Sequence, residues 1–226
     1  MSERSESDSS DEHDLNKDLL VAAVSGDEDR VTEVFHQGAD VLTKNEGGDT
    51  GLHLSAEKGH VNIVKLFLEQ GCDINSRGYQ QWTPLINAAN YGHLRTTKYL
   101  LDLGAEIDLQ DVRGNTALMQ AVKNGHSAVV SELQKRGANQ EILNQDGESA
   151  HQLSLNRELI TAITAGEGET VTKLLKQGAS VHSDNGAGDT GLHVSARHGH
   201  DHIVEMFLDK ARESQSTSGV RTKLHH

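Results

Sequence analysis

The chain is poor in several things that most folds of its size use. It has one cysteine, Cys72, one proline, Pro84, and only 3% aromatic residues in 226. A lone cysteine cannot form an intramolecular disulfide, so nothing points to an oxidising compartment, and the expected location is the cytoplasm or nucleus. So few aromatics are thin filling for one round core, but they suit an elongated stack of small helices that share interfaces. Basic residues are also scarce, 21 Lys and Arg against 34 Asp and Glu, for a formal charge of −13. That field repels phosphate backbones and anionic headgroups, which excludes nucleic acid as an expected partner and favours encounter with a basic protein. No apolar run approaches membrane-spanning length, and MSERSESDSSDEHD has neither the basic start nor the apolar stretch of a leader, so no membrane association is expected. No phosphate loop is present, and no cofactor is expected.

What the chain does have is a period. Gly26, Gly59, Gly92 and Gly125 recur every 33 residues; Gly38, Gly71, Gly104 and Gly137 repeat the step, as do Thr50, Thr83, Thr116 and Ser149. Three ladders on one period mark a tandem repeat. Each unit reads as a turn, a short helix, a glycine turn and a second helix. Thr50 is placed to cap the first helix, its hydroxyl accepting from amides of the first turn. Leu52 to Ala56 then form an apolar face, Gly59 provides the turn, and Val61, Ile63, Val64, Phe67 and Leu68 follow at helical spacing. Helices this short are not stable alone, so their apolar faces must be buried against neighbouring units.

The stretch GDTGLHLSAEKGHVNIVKLFLEQGCDIN resembles a nearly complete ankyrin repeat, and the next two units carry the same pattern. The resemblance spans residues 14 to about 210. It implies an all-α ankyrin-repeat solenoid of helix-turn-helix units with short β-hairpin-like connections, acting as a non-catalytic scaffold that binds a protein partner. Six units are expected: 14–46, 47–79, 80–112, 113–145, 146–187 with an eight-residue insertion, and 188–210. Residues 1–13 are expected to be a solvated acidic tail and 211–226 a second unstructured tail, leaving the last repeat uncapped and open to self-association. The family's proline after threonine survives only as Pro84, being Gly51, Ala117, Ala150 and Gly191 elsewhere.

The ladders jump by 41 residues rather than 33 after Gly137. A comparison at offset 140 explains the jump: LNKDLLVAAVSG (15–26) resembles LNRELITAITAG (155–166), and GDTGLH occurs at 48–53 and again at 188–193. The first repeat and a half is therefore duplicated. Either one long helix over about residues 149–165 carries the stack onward, which we expect, or the stack breaks there.

Two constellations hint at chemistry. Asp49-Thr50-Gly51 and Asp189-Thr190-Gly191 have the wording of an aspartic-protease pair, but glycines precede each aspartate and a helical pattern follows, where such a loop needs strands. His198, His200 and His202 are dense enough for a metal, yet His200 falls in the same slot as His60, His93 and His126, where the resemblance implies turn stabilisation. His53 and His193 match the family's T-x-L-H histidine, which implies hydrogen bonding within the stack. The resemblance also assigns partner contact to the motif's variable positions. These are Tyr79, Gln80, Trp82, Asn90, Tyr91 and Leu103 in the unit around the only tryptophan, followed by Arg113, Asn115, Lys123 and Asn124 in the next. Trp and Tyr are the residues most enriched in binding hot spots. Asn75 matches an asparagine that hydroxylases modify in this family, and Cys72 fills a small packed position where a thiol is inert.

Overall fold

Paired helices follow the ladders along the chain. The computed structural model describes the backbone of residues 7–221 and the side chains of residues 15–210 and 212; the ends of both expected tails lie outside the described residues. Two compact units are present, residues 1–150 and residues 151–226.

The first unit holds four helix pairs: α1 (Ser7–Ser25) with α2 (Glu28–His36), α3 (Gly51–Lys58) with α4 (Val61–Glu69), α5 (Pro84–Asn90) with α6 (Leu94–Asp102), and α7 (Ala117–Asn124) with α8 (Ser127–Lys135). The odd-numbered helices pack in file, α1 on α3, α3 on α5 and α5 on α7, while the even-numbered helices form a second file behind them. Leu19, Leu52, Ile63, Phe67, Leu85 and Leu118 are among its fully buried side chains. The second unit holds α9 (Ala150–Ala165) with α10 (Gly168–Lys176) and α11 (Gly191–Arg197) with α12 (Asp201–Arg221), around Leu159, Ile163, Val171, Leu174, Ile203 and Phe207. Among the described residues no strand forms; the hairpin-like connections reduce to single antiparallel bridges, Lys44 with Thr50 and Asp184 with Thr190.

The glycine and histidine ladders are one contact. Gly59 closes α3 with φ +77°, a left-handed conformation that costs any residue with a Cβ. A Cβ there would also lie 2.6 Å from the ring of His93, whose Nε2–H donates to the Glu57 carbonyl of the preceding pair at 2.6 Å. His60 donates in the same way to the Val24 carbonyl, His126 to Asn90 and His200 to Thr164, at 3.1, 2.9 and 3.2 Å. Each ring satisfies a carbonyl at the end of the first helix of the preceding pair, a group that helix itself leaves unpaired.

Both expected tails are helical over part of their length. The helix α1 begins at Ser7, inside the expected acidic tail. Helix α12 runs to Arg221, through most of the expected carboxy-terminal tail, a stretch that contains no proline to stop it. Thr83 and Thr116 cap as expected, accepting from the Ile86 and Met119 amides, and Thr50 forms a capping box with His53, whose Nδ1 accepts from the Thr50 amide at 3.3 Å and from its hydroxyl at 2.8 Å. The ring has no other choice of roles: its Nε2–H donates to the Ser76 carbonyl at 3.0 Å, which leaves Nδ1 as the acceptor.

The insertion and the duplication both have a structural counterpart. Helix α9 is 16 residues long where α3 has 8, so the eight extra residues are absorbed as two added turns. Contacts then recur at offset 140: Asn16 Oδ1 accepts from the Asp40 amide and Asn156 Oδ1 from the Ser180 amide. Thr50 bonds His53, and Thr190 bonds His193.

Candidate functional site

The third helix pair and the tip before it depart most from the repeat. Interior tips turn through glycines with positive φ, Gly48 at +92°, Gly114 at +79° and Gly147 at +75°, but the matching position here is Gln81, at +62°, preceded by Gln80 at +51°. Two consecutive left-handed residues with side chains are strained, by about 1–2 kcal/mol each. Neighbouring bonds hold them there: Gly78 N–H donates to the Trp82 carbonyl and Val112 N–H to the Gln80 carbonyl, both at 2.9 Å. Gln81→Gly is expected to stabilise the chain by about 1 kcal/mol, since relieved strain exceeds the added freedom of the unfolded glycine; the shift of the urea midpoint measures it.

Strained backbone is accompanied by exposed aromatics. Tyr79 is 55% and Tyr91 48% exposed, with the Tyr91 ring stacked on His93 at 6.5 Å. Val112 on the adjoining tip is also exposed, as are Gln80, Leu103, Arg113, Lys123 and Asn124, while Asn90 and Trp82 are half-buried. The Tyr79 amide donates to the Asp49 carboxylate of the preceding tip at 2.8 Å, fixing where the phenol ring begins. Among the described residues, the buried side-chain atoms without a hydrogen bond include the Trp82 indole nitrogen and the hydroxyls of Thr96 and Thr97, all in this unit. Native interiors leave few such groups.

Asn115 departs from expectation. It is only 2% exposed, its Oδ1 accepting from Lys123 and Asn144 and its amide nitrogen lying against Asp111. Asp111 is itself buried, and accepts from the Asn115 amide and from Gln120. The residue is a brace between successive tips and is not available to a partner. Sequence gave no warning, because an asparagine before the capping threonine reads equally well as exposed turn.

The carboxylates of the two D-T-G motifs are each engaged by neighbouring groups. Asp49 holds the Tyr79 amide, and Asp189 is paired to Arg197 at 2.8 Å and to Asn185 at 3.1 Å. The pairing with Arg197, followed by the Asn185 hydrogen bond, holds Asp189 below the usual carboxylate range. A protease base would instead need two carboxylates sharing a proton. The three histidines are likewise employed: His198 Nδ1–H donates to Val194, His200 to Thr164, and His202 lies against Gly168. Among the described residues no group of three metal-ligating side chains converges.

Comparison with known proteins places this geometry. A model of ankyrin repeats in three copies matches residues 19–111, and a single ankyrin-repeat model matches residues 113–145 and 187–215. Two ankyrin repeat proteins of Rickettsia felis are each 36% identical to the chain over 52 residues, which is 23% of this chain and 82% and 79% of those proteins. The chain belongs to the ankyrin-repeat family.

Ankyrin repeats are general protein-protein interaction modules, so the exposed tip and helix-end residues of an ankyrin stack are where recognition is sought. Asn75 sits in an ankyrin loop with both ends of its side chain in use: Nδ2 donates to Glu106 and Oδ1 accepts from the Glu106 amide. Cys72 is buried behind its turn, and burial pushes its thiol up to about 11. Its reaction with a thiol reagent at pH 8 is expected to be slower than that of the urea-unfolded chain by on the order of a hundredfold, because the thiolate is the nucleophile.

Proposed function

We propose that this ankyrin chain is a non-catalytic scaffold that holds a protein partner across its hairpin tips and inner-helix ends, with Tyr79 and Tyr91 as anchors. One observation carries the reading: the third helix pair and the tip before it collect the strained backbone, three of the four unsatisfied buried side-chain atoms among the described residues, and the exposed Tyr79 and Tyr91. Local rules are broken where a site needs them broken, and strain concentrates at binding surfaces. Tyrosines bring a large contact area with little entropy to lose. Gln80, Asn90, Leu103, Arg113, Lys123 and Asn124 flank them, with Trp82 beneath. The formal charge of −13 favours a partner with a basic face, and the charge effect is on encounter rate, strongest at low salt. The lone, buried Cys72 suits the cytoplasm or nucleus; among the described residues no helix is long and apolar enough to cross a membrane.

The test pairs the intact chain with a Tyr79→Ala, Tyr91→Ala variant in affinity capture, followed by titration of any captured protein. Both side chains are about half exposed, so the variant should keep its melting temperature. Loss of a hot-spot pair is expected to weaken binding by at least about a hundredfold. Equal affinity for both proteins would refute the assignment of the site.

A further inference from the structure

An outer helix is held to the stack by one stripe of buried side chains, and that of α6 is the poorest. On α4 the stripe is Ile63, Val64 and Phe67; at the same positions, 33 residues on, α6 has Thr96, Thr97 and Leu100. The two helices are otherwise matched. Each has nine residues, and each packs on an outer helix at either side, α4 on α2 and α6, α6 on α4 and α8. Leu100 is the single apolar residue among the buried ones of α6, where α2 has Val31 and Val34, α8 has Val129 and Leu133, and α10 has Val171, Leu174 and Leu175.

Thr96 and Thr97 are fully buried, and neither hydroxyl has a hydrogen-bond partner. A helical threonine can pair its hydroxyl with the carbonyl four residues back, as Thr32 does with Glu28 and Thr172 with Gly168, both at 2.9 Å. Thr96 and Thr97 do not. Threonine has the shape of valine but not its ease of burial: α6 takes two hydroxyls out of water without replacing what they lose, where α4 buries hydrocarbon. Ion pairs tie α6 to α8, Lys98 to Glu132 at 3.8 Å and Asp102 to Arg136 at 2.6 Å, with Lys98 and Asp102 both exposed. Pairs of this kind contribute little and are screened by salt. The inner helix α5, by contrast, is buried from Pro84 to Ala89 and packs on both α3 and α7. The weakness of the third pair therefore falls on its outer helix.

We infer that α6 opens from the stack as a unit of its own while α4 and α5 stay in place, and that Thr96 and Thr97 set how readily it does so. Folded proteins open locally over a wide range of free energies, and segments with the least buried apolar contact open most often. Opening takes His93 with it, the residue at the head of α6 whose ring lies over Gly59 and donates to the Glu57 carbonyl. The Tyr91 ring is stacked on that histidine. A partner that grips Tyr91 would then hold α6 closed; this consequence rests on the tyrosine reading, whereas the opening itself does not.

Amide hydrogen exchange of the whole chain, read by mass spectrometry on peptides from α4 and α6 and corrected for intrinsic rates, tests it. In the parent, the α6 amides are expected to exchange at least about tenfold faster than those of α4, since each buried, unpaired hydroxyl is worth about that factor. Low urea should speed the exchange of α4 and leave α6 nearly unchanged, because a local opening exposes little surface. Thr96→Val with Thr97→Val should slow α6 exchange by at least about tenfold and bring its response to urea towards that of α4. Equal rates and equal urea dependence for the two helices of the parent overturn the inference, as α6 would then open only with the rest of the unit. So does a fast α6 that the two valines leave unchanged, because the hydroxyls would not be its cause.

Discussion

Gly51→Pro is expected to destabilise the chain by about 2–3 kcal/mol, and Phe67→Leu in the same chain to recover about 1 kcal/mol of that loss. The proline would be at the first position of α3, after the capping Thr50, where the family places it and where a helix tolerates it. The cost is therefore one of packing alone. A Cβ on Gly51 would lie 2.0 Å from Phe67 Cζ, and Phe67 is fully buried with its ring edge-to-face on Phe35 at 5.2 Å. It cannot swing aside without repacking the pair behind it. In the next two repeats the residues at these positions are Pro84 with Leu100 and Ala117 with Leu133, and in the second copy Gly191 with Phe207. Glycine accompanies phenylalanine, and the larger residue accompanies leucine. Phe67→Leu alone is expected to cost about 1 kcal/mol as a partly filled cavity. Urea unfolding of the parent, both single variants and the double variant closes the cycle, with a coupling of about 2 kcal/mol expected between them. Additive single effects would show that the two residues do not share one space.

This pairing also shows where sequence reading stopped. The period, the helix pairs and the long helix at 150–165 were legible because a 33-residue ladder of glycines and threonines reports backbone requirements, which are local. The loss of proline at residue 51 was legible only as a departure, because its cause is a side chain 16 residues away. The glycine and histidine ladders could each be seen, but not that His93 fills the space over Gly59, since the two residues touch across units. At the candidate site Tyr79 and Tyr91 were placed on the surface by their motif positions, and they are exposed. Asn115 was placed by the same rule and is buried, because Asp111, Asn144 and Lys123 converge on it from two successive tips. Motif position fixes the backbone site of a residue; whether its side chain meets solvent depends on which polar partners the neighbouring repeats supply. The glutamine at residue 81, in a slot that elsewhere holds glycine, was the one strain signal present in the sequence.

His53 should make the stability of the stack fall as the pH drops below about 6.5, the ordinary imidazole value. The ring is 1% exposed, and that burial is the main cause that moves its pKa down, outweighing the Ser76 carbonyl and Asp49, which favour the charged form. In the folded chain Nε2–H donates to Ser76 and Nδ1 accepts from Thr50, so a second proton has no place without breaking the Thr50 contact. The unfolded chain binds that proton near its ordinary pKa and the folded chain binds it only at lower pH. Between those two values the unfolded state has more protons, and stability declines with acidification. Above the ordinary value the contribution is fully present. One such group limits the slope to about 1.4 kcal/mol per pH unit. Chemical unfolding of the parent and of His53→Gln between pH 7.5 and about 5 isolates the effect, because the other thirteen histidines are common to both. Glutamine can still donate to Ser76 but does not titrate, so the variant should be less stable at neutral pH while the gap between the two proteins closes as the pH falls. A gap that stays constant over the range would mean that the folded ring takes up its proton as readily as the unfolded one, and that burial at the centre of the repeat does not hold it neutral.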